Sequence, residues 1–73
     1  MRSDIQLLDV VALTADMPEL GLERGQVGTV VEILPPERYD IEFCDDEGRT
    51  YALAALRADQ LLVLRYNPRQ AAE

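Results

Sequence analysis

Asp45-Asp46-Glu47 is the longest unbroken run of acids in this 73-residue chain, and carboxylate oxygens are the ligands that hard cations take. A calcium loop spaces its acids and closes on a later bidentate glutamate, and none follows Glu47 at that interval, so the run reads as a solvated turn. Asp40 and Glu42 stand two residues apart, which on a strand aims both carboxylates to one side, as a paired-carboxylate hydrolase needs at a cleft. Nothing in the surrounding sequence singles out either as a general acid. They fit the exposed face of a half-buried strand, with Arg49 on the facing strand as an ion-pair partner. Cys44 is the single cysteine, and the chain has no histidine to serve as its base. With acids on its C-terminal side as well, it reads as structural rather than nucleophilic. The same absences leave no disulfide and no zinc ligand set.

Gly25-Gln26-Val27-Gly28-Thr29 has the glycines of a phosphate loop but lacks the lysine, and it leads into a strand where such a site wants a helix N-terminus. Gly25 and Gly28 are therefore expected to turn the chain and to allow a close strand crossing. Tyr39, Phe43, Tyr51 and Tyr66 offer an aromatic platform for proline-rich peptides or stacked bases. Yet tryptophan is missing, and Tyr39 and Phe43 are better used in a core. No catalytic, cofactor-binding or metal-binding set results, and the chain is not expected to be an enzyme or to carry a cofactor. What remains is an acidic interaction surface made of Asp40, Glu42, Asp45, Asp46 and Glu47.

Charge narrows the partner. Fourteen acids face seven basic residues, all arginine, for a formal net charge of −7. The arginines are scattered singly, whereas a nucleic-acid backbone needs clustered cations, so nucleic acid is an unfavourable ligand. Acid excess serves solubility first and suits a protein partner second. The segment 1–6 is charged, with no long apolar stretch and cleavage site, and no run is long enough to cross a bilayer, so a cytoplasmic location without membrane contact is the expectation. At this length a single core is marginal without disulfides, metals or a partner.

The elements that must position these residues are short. Ile5 and Leu8 are spaced for one helical turn, with Ser3 or Asp4 as its cap. Val10 to Thr14 is an apolar, β-branched first strand. Asp16 to Gly21 and Glu23 to Gly25 break the pattern twice, making an irregular loop. Gln26 to Leu34 is the longest strand, with Val27, Thr29, Val31 and Ile33 on one side and Val30, Glu32 and Leu34 on the other, so apolar groups lie on both faces. Pro35-Pro36 ends it. Tyr39, Ile41 and Phe43 then alternate with Asp40 and Glu42, the cleanest half-buried strand in the chain. Asp45 to Gly48 forms a hairpin tip in which Gly48 takes positive φ, and Arg49 to Leu56 returns. Arg57 to Gln60 suits a 3₁₀ turn before a last strand, Leu61 to Leu64. Residues 1–66 make one domain and 67–73 a polar tail.

This order of elements is that of a small, all-β, five-stranded SH3-like barrel. The block from Gly21 to Ile33, followed by Tyr39 to Phe43, resembles the glycine-rich start of a KOW-type barrel. The stretch from Leu7 to Leu64 more closely resembles the DUF4926 family of small bacterial proteins. That likeness rests on Leu8-Asp9-Val10-Val11-Ala12-Leu13, on Arg24 to Glu32, on Ile41-Glu42-Phe43 and on Ala58-Asp59-Gln60-Leu61. The resemblance implies a fold and a bacterial origin, with no activity attached, and a setting in which small partner genes stand alongside.

The reading that follows is a non-enzymatic protein-binding module, antitoxin-like or inhibitory, whose partner is a neighbouring gene product or a second copy in a homodimer. Its support is the marginal core, the acid excess and an apolar N-terminal run (Ile5, Leu7, Leu8, Val10, Val11) longer than one strand needs to bury. A KOW-like nucleic-acid or ribosome-associated domain is the alternative, carried by the glycine-centred turn alone. An accessory subunit of a larger enzyme, as SH3-like barrels form in nitrile hydratase and photosynthetic complexes, is a third.

Overall fold

The computed structural model describes residues 5–65. Five antiparallel strands form one sheet: β1 (Val10–Leu13), β2 (Val27–Leu34), β3 (Arg38–Cys44), β4 (Thr50–Arg57) and β5 (Leu61–Val63). Their order across the sheet is β4-β3-β2-β1-β5, so β2, β3 and β4 form a meander and β5 returns to lie beside β1. A 3₁₀ turn, Ala58–Gln60, precedes β5, as its short polar sequence predicts.

One face of the sheet curls around a core of Val11, Leu13, Val30, Tyr39, Ile41, Phe43, Leu56 and Leu61, giving a barrel-like shape. Tyr39, Ile41 and Phe43 are all buried, while Asp40 and Glu42 between them are only partly covered. A period of two permits that division, and turning the strand over would expose three large side chains and bury two carboxylates at a cost.

The loop between β1 and β2 does more than connect. Pro18–Leu20 makes a 3₁₀ turn with Gly21 in the left-handed region at φ 70°. The backbones of Met17 and Leu22 bond to each other in both directions, at 2.8 and 3.1 Å. That pinch drives Leu22 (1% exposed) and Met17 (4%) into the end of the core. Proline and glycine announce a break in pattern, but two core residues lie inside the loop they make.

Several expectations need correction. Ile5 to Leu8 is not a helical turn: the N–H of Asp9 donates to the Gln6 carbonyl at 3.0 Å, with Leu8 left-handed at φ 72°. The Asp9 carboxylate accepts the Gln6 N–H at 2.8 Å and locks that reverse turn, which a helix would not allow. Ser3 and Asp4, its expected caps, lie outside the described residues, as do Tyr66 and the tail 67–73. In β2 the buried residues are Gly28 and Val30, while Val27, Val31 and Ile33 stay 38–46% exposed. A bulge between Val30 and Glu32 explains why strict alternation misleads: one extra residue re-phases the strand, so that Ile33 falls opposite the core residue Tyr39.

Candidate interaction surface

Gly28 lets β2 and β3 approach. A Cβ built on it would lie 2.6 Å from Cγ2 of Ile41, 2.9 Å from the Glu42 carbonyl oxygen and 3.0 Å from Cδ2 of Phe43. Only a residue without a side chain fits there. Gly25, at φ 93°, and Gly48, at φ 82°, have open space around them and are turn residues through backbone conformation instead. At the same end of the sheet the Gln26 amide donates to the Tyr51 hydroxyl at 2.9 Å, tying the start of β2 to the start of β4.

The acidic residues divide into two groups. Asp45, Glu47 and Arg49 build the hairpin tip. The Asp45 carboxylate accepts the backbone N–H groups of Glu47 (2.9 Å) and Arg49 (3.0 Å), and Arg49 Nε lies 3.3 Å away. The Arg49 backbone N–H, helped by that of Glu47 and by the Arg49 side chain, holds the Asp45 carboxyl below its ordinary range against a weaker opposing effect of desolvation. Arg49 Nη2 also reaches Glu47 at 2.7 Å. Two of the three tip acids are thus engaged in shaping the turn, and Asp46 sits at its apex.

Asp40 and Glu42 lie on the outer face of β3. Asp40 is flanked by Glu32 on β2 and Ala55 on β4, and Glu42 by Thr29 and Leu53. The expected Glu42–Arg49 ion pair does not form. A register shift between Phe43 and Cys44 brings Thr50 opposite Cys44 and leaves Arg49 beside Asp45, whose N–H donates to the Arg49 carbonyl at 2.9 Å. Glu42 accepts the Thr50 hydroxyl instead. With its hydrogen directed to Glu42, that hydroxyl oxygen is left to accept a hydrogen bond from the thiol of exposed Cys44, at 3.7 Å. Among the described residues no group of three or more His, Cys, Asp or Glu side chains could hold a metal ion.

Of the aromatic residues, Tyr39 and Phe43 are in the core, and Tyr51 leans on Phe43 with ring centroids 6.2 Å apart. Among the described aromatic residues only Tyr51, 49% exposed, reaches the surface. The apolar surface lies elsewhere, on the outer face. Register puts Ala12 opposite Leu62 on one side and Val27 on the other, so the three side chains form one row across β5, β1 and β2. Leu62 is 58% and Val27 45% exposed, and the small Ala12 between them is almost covered. Leu53, 63% exposed on the edge strand β4, is set apart from this row by Glu42 and Thr29. Sequence reasoning missed this row because Val27 and Leu62 read as ordinary strand hydrophobics. The available signal is that β1 and β5 carry apolar residues at both parities.

A family model described as a domain of unknown function (DUF4926) matches residues 7–63, which run from the turn before β1 through the end of β5. The chain belongs to this family. The DUF4926 match thus takes in the whole five-stranded sheet, with the outer row, the acidic hairpin and the four crossing or turn glycines, Gly21, Gly25, Gly28 and Gly48. No curated protein and no solved structure matches the chain.

Proposed function

We propose that this DUF4926 protein is a non-enzymatic protein-binding module that acts in the cytoplasm, as the antitoxin-like or inhibitory partner of a neighbouring gene product. The observation that carries the reading is the outer apolar row of Leu62, Ala12 and Val27. A sheet in a small domain normally solvates one face with polar residues, and leaving large side chains exposed forgoes about 25 cal/mol per Å² of apolar area that a partner would cover. Acids lie to one side of the row: Glu32 farther along β2, Asp40 and Glu42 on β3, and Asp45 to Glu47 at the hairpin tip after β3. A basic flank beside an apolar centre on the partner would complement them, steering association and setting orientation.

Immobilised protein exposed to an extract of its native cells tests this. Specific retention of a protein, weakened by salt as the acidic flank requires, is the expected result. An empty eluate would overturn the proposal.

A further inference from the structure

β4 is an open edge of the sheet whose central stretch, Ala52 to Leu56, lacks the devices that normally guard one, the bulge at Tyr51 and the charge of Arg57 standing at its two ends. It is eight residues long, Thr50 to Arg57, with no proline, glycine, lysine or acid, although the chain as a whole carries fourteen acids. Edge strands are usually short, charged or interrupted so that they do not recruit another strand. The opposite edge, β5, is short, at three residues. On β4 the exposed residues include Leu53 and Ala55, and Leu53 is 63% exposed.

The backbone groups available on β4 follow from the ladder. The Val30 N–H donates to the Asp9 carbonyl at 2.9 Å, so Gly28 and Val30 bond toward β1. Antiparallel alternation then directs Thr29 and Glu42 toward each other, and Ile41 and Ala54 toward each other. Leu53 and Ala55 are left with N–H and C=O directed away from β3, on the open side. Consistent with this phase, the Arg57 N–H is met from that side by the Gln60 side chain at 2.9 Å.

We propose that β4 pairs antiparallel with β4 of a second copy of this chain, in a register centred on Ala54. The sequence Tyr51-Ala52-Leu53-Ala54-Ala55-Leu56-Arg57 is complementary to its own reverse about that centre. Leu53 falls opposite Ala55 of the second copy, and Ala52 opposite its Leu56, so each leucine meets an alanine, one pair on each face, while Tyr51 falls opposite Arg57. Leu53 and Ala55 also exchange their free backbone bonds there. Centring on Leu53 instead sets Leu53 against itself and Arg57 against Arg49 of the other copy, a like-charge contact. With no acid on β4, two chains of net charge −7 can meet along this strand without placing carboxylates opposite one another. The two-fold arrangement closes on itself and gives a continuous ten-stranded sheet.

The inference deepens the protein-binding reading by naming one partner, but it uses a different surface, so the two stand or fall separately. Size exclusion with light scattering across a dilution series reads it. The protein should run at twice its 8.2 kDa chain mass. Ala55→Pro removes an N–H that only the paired state uses, and a proline is tolerated on an edge whose N–H faces solvent. Leu53→Lys alters an exposed side chain and sets a lysine beside Arg57 of the second copy. Each should fall to single-chain mass with unchanged far-UV dichroism, and if Ala55→Pro fails to fold, Leu53→Lys decides alone.

For register, Leu53→Cys and Ala55→Cys chains, each in a Cys44→Ser background, should form a disulfide when mixed with oxidised glutathione as the oxidant, since hydrogen-bonded antiparallel pairs stand about 5.5 Å apart at Cα. Wild-type protein at single-chain mass throughout, folded variants that remain dimeric, or Leu53→Cys chains that link to themselves would overturn the proposal. The outer-row capture experiment would be untouched by any of these.

Discussion

Gly28→Ala adds one methyl group at the tightest point of the fold. The new Cβ meets Cγ2 of Ile41 at 2.6 Å and Cδ2 of Phe43 at 3.0 Å, both side chains fully buried, and the Glu42 carbonyl oxygen at 2.9 Å. Side chains can rotate to make room, but that carbonyl cannot. Glu42 is paired with Thr29, one residue along β2, so moving its oxygen means prising the β2–β3 ladder apart. Overpacking a core costs about 1–3 kcal/mol, and with a backbone atom among the contacts the upper end applies, about 3 kcal/mol. In urea, with a slope of about 1 kcal/mol/M for a domain this small, the midpoint should fall by about 3 M. Gly25→Ala is the matched control: no atom lies within 4 Å of its Cβ, but its φ of 93° is one that L residues resist, at about 1–2 kcal/mol. Gly28→Ala should therefore be the more damaging of the two. A Gly28→Ala midpoint indistinguishable from wild type would refute the close-crossing argument, and so would the reverse order of the two variants.

Leu22→Ala, in the loop after the first strand, should behave as a core deletion and cost about 2–5 kcal/mol by urea unfolding, whereas Leu20→Ala beside it, 47% exposed, should change little. Leu8→Gly should stabilise the protein by about 0.5–1 kcal/mol, raising the melting temperature by several degrees, because relief of left-handed strain exceeds the entropy cost of glycine. For Asp45, whose pKa is lowered on folding from an ordinary 3.8, the stabilising effect is complete above that value and fades as pH falls through the lower folded one. The melting-temperature gap between wild type and Asp45→Asn should be constant near neutrality and close below about pH 4.

Much of this fold was legible because the period-two signal in Tyr39 to Phe43 is unambiguous: three buried large residues alternate with two acids. Gly48 after three acids marked the hairpin tip, and Ala58 to Gln60 marked the turn before β5, since each has local chemistry that permits little else. Legibility failed where distant residues decide. Ile5 and Leu8 have helical spacing, yet the Leu8 N–H donates to the Val30 carbonyl of β2 at 2.7 Å, which holds the segment in a reverse turn instead. The bulge in β2 depends on how that strand wraps against β3, which no local pattern encodes. An ideal ladder sets Arg49 near Glu42, but the register shift at Phe43 and Cys44 hands it to Asp45 and Glu47. The surface was least legible. The acids Asp40 to Glu47 are conspicuous as a string, but several of them serve the hairpin itself, while the apolar row of Leu62, Ala12 and Val27 becomes visible only when three strands separated in sequence are laid side by side.

The central claim is that this outer row holds a protein partner, and the most direct measurement is capture from native-cell extract by wild type and by a Val27→Lys, Leu62→Lys double variant side by side. Both side chains are about half exposed, so the variant should keep the wild-type dichroism and melting temperature. The account predicts that a protein retained by wild type is lost from the folded variant. Equal retention by the two would contradict it.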